Sequence, residues 1–202
     1  METSCTAGAS ARLFTAVFVS SVLALCSSFV SLSAVDSNDW PSHDHDAGGQ
    51  RFSPLKQITP ANAGTLQLAW TFDTGVQGLQ TTPLAINGIM YVTAGKDIIA
   101  LEPETAKVVW RYTAPATVSR RGVAYWPGDR DTPPRLFSGS GERLLAVDAE
   151  RGKPAAGFGD GDTGSVDLKA SILGDVDGRF GLTSPPAPYS ARSPSRSPAR
   201  AR

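Results

Sequence analysis

The sequence predicts an all-β chain, and three observations predict it. Short runs rich in Val, Ile, Leu and aromatic residues alternate with turn signals built from Gly, Asn, Asp and Lys. Beyond the first 34 residues, no segment sustains the 3.6-residue apolar period of an amphipathic helix. The chain also repeats itself. "DIIALEPETAKVVW" from Asp97 and "RLLAVDAERGKPAA" from Arg143 align without a gap at an offset of 46 residues, Ala100 meeting Ala146. In that frame Tyr91 meets Phe137, Gly95 meets Gly141, Ile99 meets Leu145, Glu102 meets Asp148, and Lys107 meets Lys153. A repeat in the forties made of short strands is the signature of a β-propeller, whose blades are four-stranded antiparallel sheets. A Greek-key sandwich also has short strands but predicts no such self-similarity. The expected architecture is a partial propeller of two to three blades.

In chain order, residues 1–34 come first. Arg12 precedes an apolar run from Leu13 that ends in Leu32-Ser33-Ala34, the parts of a secretory signal peptide. Cleavage after Ala34 is expected, which makes the product periplasmic or secreted; a retained leader would instead anchor it to the membrane. Cys5 and Cys26 both lie in this leader, so the mature chain has no disulfide framework and no cysteine metal site. Residues 35–65 are polar and broken by Pro and Gly. Strands are expected over 66–72, 88–94, 97–102, 107–112, 134–139 and 143–148, with hairpins at 88–101 and 135–148. Residues 35–186 form the propeller domain. The end, 187–202, is Pro/Ser/Ala/Arg low complexity that cannot bury enough apolar surface to offset its ordering entropy, and it is read as disordered. Its composition is that of GC-rich triplets out of frame, so a frameshift and early stop are expected there.

Lys+Arg and Asp+Glu number 19 each, so net charge offers no argument for a nucleic-acid partner. "HDHD" (His43–Asp46) brings imidazole and carboxylate ligand types together. With nothing else nearby, it reads as a polar turn. "GDGDTGSVD" (159–167) and "GDVDGRF" (174–180) have the Asp/Gly rhythm of calcium loops, but neither has the full spacing that ends in Glu, and both read as loops.

"ALEPETAKVVW" resembles the tryptophan-docking motif of the quinoprotein dehydrogenases, which carry pyrroloquinoline quinone (PQQ) on an eight-bladed propeller. Ala106 stands where the pattern usually has Gly, and the second copy has Ala156 in the place of Trp. "DWPSHDHDAGGQRFSPLKQI", "LQLAWTF", "LQTTPLAINGIMYV", "RRGVAYWPGD" and "GLTSPP" are similar to the same family, and together they cover most of residues 39–186. The resemblance implies a dehydrogenase acting on a sugar, polyol or alcohol, using PQQ and Ca²⁺ and passing electrons to a quinone or cytochrome. It implies cofactor contacts at Gln80, Arg121, Thr183 and Ser184. A guanidinium at position 121 suits a PQQ carboxylate because it is planar, always charged and able to bind two oxygens at once. The family's Ca²⁺ ligands, its catalytic Asp and the Trp that stacks on PQQ match no position here. The chain is therefore expected to lack catalytic and metal residues and to be inactive by itself. The competing expectation is a secreted propeller-repeat scaffold that binds a partner without catalysis.

Overall fold

Residues 36, 38–46, 48–174 and 180–188 are described by a computed structural model. Apolar side chains at every second position allow a strand to bury one face, and two such strands close into a hairpin where Gly supplies the left-handed turn. Here that pattern builds two four-stranded antiparallel sheets. The first has the order β1 (Leu84–Ile86), β2 (Ile89–Ala94), β3 (Asp97–Leu101), β4 (Val108–Thr113). The second has the order β5 (Ala124–Trp126), β6 (Arg135–Ser140), β7 (Arg143–Asp148), β8 (Ser165–Asp167). Each sheet is one propeller blade with strands in sequence order, so the partial-propeller fold class holds.

The 46-residue repeat is a repeat of the hydrogen-bond ladder itself. Tyr91 lies opposite Ala100 in β2–β3, and Phe137 lies opposite Ala146 in β6–β7. The β2–β3 turn uses Gly95 at φ 60°, and the β6–β7 turn uses Gly141 at φ 59°. After β3, Ala106 N–H donates to the Glu102 carbonyl at 2.9 Å; after β7, Gly152 N–H donates to the Asp148 carbonyl at 2.9 Å. The Thr105 hydroxyl, and then the Lys107 ammonium, hold the Glu102 carboxyl below its usual range.

The two sheets bury one face of each against the other. Leu84, Ile86, Tyr91, Ile98 and Ala100 from the first meet Tyr125, Leu136, Leu145 and Val147 from the second, together with Val123 just ahead of β5. The other face of the first sheet, with Val92, Ile99 and Leu101, is covered in part by Phe72.

Four differences from the sequence expectation have local causes. Residues 66–72 form no strand, because no described strand lies beside them to pair with. Strands β1, β5 and β8 are only three residues each, too short to show a period of two in the sequence. Residues 165–167 of the expected loop 159–167 are drawn into β8 by pairing with β7. Ala187 and Pro188 of the expected tail border a hollow together with Trp126, Phe137 and Phe158. The expected signal peptide, most of the loop 174–180, and residues 189–202 of the tail lie outside the described residues.

Candidate functional site

The residues expected to contact a cofactor sit where the two sheets meet. The connection from β4 to β5 runs beside β2 and β6 and is held by buried hydroxyls. Thr93 Oγ1 donates to the Ser119 carbonyl at 3.0 Å, and Ser119 N–H donates to the Gly139 carbonyl at 2.9 Å. Ser140 Oγ donates to the Ala116 carbonyl at 2.9 Å. Ser119 and Ser138 are fully buried, so these hydroxyls would be costly to leave unpaired.

From this anchored connection, Arg121 projects outward and donates from Nη1 to Ser184 Oγ at 2.9 Å. Ser119 Oγ donates to the Thr183 carbonyl at 2.9 Å, which fastens the 183–184 segment beside it. That segment can approach because position 139 is Gly: a Cβ there would collide with Leu182. Three of the four expected residues are thus brought together over long sequence separations. Thr183 takes part through its backbone carbonyl.

Gln80 lies on the neighbouring wall. It borders a hollow of about 310 Å³ that is also lined by Gly78, Thr93, Thr117, Ser119 and Arg120, and no carboxylate lines it. Thr82 N–H reaches the Arg121 carbonyl at 3.4 Å, so the segment that carries Gln80 into β1 passes beside Arg121. The site therefore joins two exposed guanidiniums, a carboxamide and hydroxyls, with Gly122 pressed against the Thr82 backbone. This donor set suits a planar polyanion. Sequence reasoning missed Ser119, Thr93 and Arg120. The one available signal was a pair of hydroxyl residues, Ser138 and Ser140, in a strand with a buried face.

The "HDHD" turn sits behind Thr82, whose Oγ1 contacts His43 Nδ1 at 2.7 Å. Arg51 pairs with Asp44 at 2.7 Å. Among the described residues, no group of three or more His, Cys, Asp or Glu side chains is placed to hold a metal ion.

The tryptophans dock between repeats. Trp110 of β4 donates from Nε1 to the Ala149 carbonyl at 3.1 Å, and its ring lies on Gly152, where a Cβ would come within 2.5 Å of Cδ2. Trp70 donates to the Pro103 carbonyl at 2.9 Å, the same relation one repeat earlier. The role of Trp70 was not legible in a segment read only as a strand.

The model of the glucose/ethanol/alcohol dehydrogenase β-propeller domain, designated PQQ, matches residues 40–192. The glycerol dehydrogenase large subunit of Gluconobacter oxydans (strain 621H) is 33% identical over 173 residues, which is 74% of this chain and 23% of that protein. The 1-butanol dehydrogenase (cytochrome c) of Thauera butanivorans is 38% identical over 128 residues, 57% of this chain and 18% of that protein. Among solved structures, a quinohemoprotein alcohol dehydrogenase from Pseudomonas putida HK5 matches 68% of this chain and 20% of its own, at 29% identity and a TM-score of 0.50. The chain spans less than a quarter of the length of each.

Proposed function

The chain belongs to the PQQ-dependent quinoprotein dehydrogenases, within the glucose/ethanol/alcohol dehydrogenase β-propeller family, and from that premise we propose that it contributes part of the PQQ-binding face of an exported enzyme that oxidises a polyol, sugar or alcohol. The observation that carries the proposal is the contact between Arg121 and Ser184, made across 63 positions and locked from behind by Ser119 and Thr183. Gln80 is carried by the segment whose Thr82 N–H donates to the Arg121 carbonyl, and this donor set fits the group in this reading, since PQQ bears three carboxylates on a flat ring system.

When bound, PQQ supplies an ortho-quinone that accepts the electrons of the CH–OH group. The part of this chain is binding. Arg121 takes a carboxylate, with Arg120 beside it raising the local positive potential. Ser184 orients the guanidinium, and Gln80 offers an amide at the edge. Ca²⁺ accompanies the cofactor in this reading, but none of the described residues is assigned to it. The acceptor is a quinone or a cytochrome, and the leader directs the protein to the periplasm or, if retained, to the membrane. Relatives named for glycerol and for 1-butanol with cytochrome c support a polyol or alcohol and an electron-transfer partner.

The test is equilibrium dialysis of the 202-residue chain against PQQ, followed by dye reduction with glycerol, 1-butanol or glucose. Weak saturable binding without turnover is expected. Arg121→Ala should weaken binding by about 1.5–3 kcal/mol, the usual worth of a hydrogen bond to a charged group. Unchanged affinity in Arg121→Ala, or no saturable binding at all, overturns the site. PQQ-dependent turnover by the chain overturns the assignment of its part to binding alone.

A further inference from the structure

A second hollow, of about 280 Å³, lies between the two sheets and is walled by both. Tyr91 of β2 and Trp110 of β4 come from the first sheet, and Tyr125 of β5 comes from the second. Asn87 from the β1–β2 turn, Pro134 just ahead of β6 and Glu150 just past β7 also line it. The hollow is a seam between two packed sheets, not an outward face of either. Ile89, the first residue of β2, borders it, whereas Thr93, near the end of β2, borders the hollow beside Gln80. The two sites therefore sit at opposite ends of the strand.

Its aromatic walls are held in place. The Ala149 carbonyl accepts from Tyr91 Oη at 3.2 Å and from Trp110 Nε1 at 3.1 Å. Their ring centres are thereby fixed 5.9 Å apart, with the planes tilted by 41°. A wall already ordered in this way loses little freedom when a ligand meets it. With Tyr125, three aromatic rings border one space, and the face of each ring attracts positive charge. Among the described residues, the one charged side chain in the lining is Glu150. Its contact with Arg151 is loose, at 3.8 Å, and that guanidinium donates to Asp148 at 2.9 Å. Burial raises both phenols, and the charged residues that add to it, Asp39, Asp148 and Glu150, are all acidic.

We propose that this hollow is an aromatic cage for a small quaternary ammonium compound, with Tyr91, Trp110 and Tyr125 as its walls and Glu150 as its counter-charge. A quaternary nitrogen carries its charge under a shell of methyl groups, so it is weakly hydrated and can leave water for ring faces. A divalent metal ion would need several oxygen ligands, and one carboxylate with one carboxamide falls short of that set. An anion would meet the Glu150 carboxylate. Size agrees, since a cavity of about 150 Å³ already holds a benzene ring. The site shares no lining residue with the Arg121 cluster and does not rest on the cofactor reading.

The experiment is a titration of the full chain with choline chloride, exchanged for sodium chloride at constant ionic strength and followed by calorimetry and tryptophan fluorescence. The control ligand is the uncharged isostere of choline in which a tert-butyl group replaces the trimethylammonium. Choline should saturate, and the isostere should bind about tenfold more weakly or not at all. Glu150→Gln changes an exposed side chain and keeps its shape, and it should weaken choline binding about threefold. Arg121→Ala should leave choline binding unchanged. Equal binding of choline and its isostere, or no saturation by choline, overturns the proposal without any variant. So does a choline affinity that is unchanged in Glu150→Gln or lost in Arg121→Ala.

Discussion

Tyr91 shows how one side chain can be both structural and titratable. Its hydroxyl donates to the Ala149 carbonyl at 3.2 Å, the same oxygen that receives Trp110 Nε1. Burial pushes its phenol well above the ordinary tyrosine value, and the charges of Glu150 and Asp148 add to the shift. The sign follows directly. Above about pH 10 the unfolded phenol loses its proton while the folded one keeps it. The unfolded state then binds fewer protons, so stability falls as pH rises. Tyr112 and Tyr125 are raised by burial in the same direction. Tyr91→Phe should cost about 1 kcal/mol at neutral pH for the lost hydrogen bond. The same change should flatten the loss of stability that sets in above about pH 10 in urea unfolding. An alkaline slope as steep as that of the parent chain would show that Tyr91 carries none of it.

At the scale of the element, the turns after β3 and β7 are the same device made from different residues. Ala106 adopts φ 58° and Gly152 adopts φ 64°. The left-handed region costs a residue with a Cβ roughly 1–2 kcal/mol. Ala106→Gly should therefore raise stability by about 1 kcal/mol, less the backbone entropy that Gly forfeits on folding. Gly152→Ala should do the opposite and more, because the added carbon meets both the unfavourable φ and the Trp110 ring. A loss of about 2 kcal/mol or more in denaturant unfolding is expected there. Equal effects at the two positions would mean that the docked Trp110 ring adds nothing to the backbone cost.

Across the whole molecule, burial is uneven. The two sheets share a dense core, yet Phe52, Leu55, Ile58, Leu66 and Leu68 remain 51–80% exposed along the segment that precedes them. Leu66 and Leu68 lie close together in a run outside the described strands, and neighbouring exposed apolar side chains favour association. Leu66→Gln combined with Leu68→Lys should reduce concentration-dependent association in sedimentation velocity. Exposed positions contribute little to folding, so the unfolding free energy should move by less than about 0.5 kcal/mol. A large loss of stability in that variant would show that the segment packs as part of the fold.

The sequence by itself determined the β class, the 46-residue ladder repeat, both long hairpins and the docking of Trp110. Those features are local: alternation, turn glycines and a short motif act within one or two strands. It also placed Arg121 and Ser184 in one site, but only through a family resemblance, since nothing in their spacing says that they touch. Tertiary structure alone decided three things. It left 66–72 without a ladder, because a strand exists only where a neighbour supplies the other half of its hydrogen bonds. It joined Ser119 to Thr183 over 64 positions. It also buried Arg135 between the rings of Trp126 and Phe158. Charge and hydroxyl chemistry are written in the sequence, but the partner that satisfies or fails to satisfy them is chosen by the packing of the sheets.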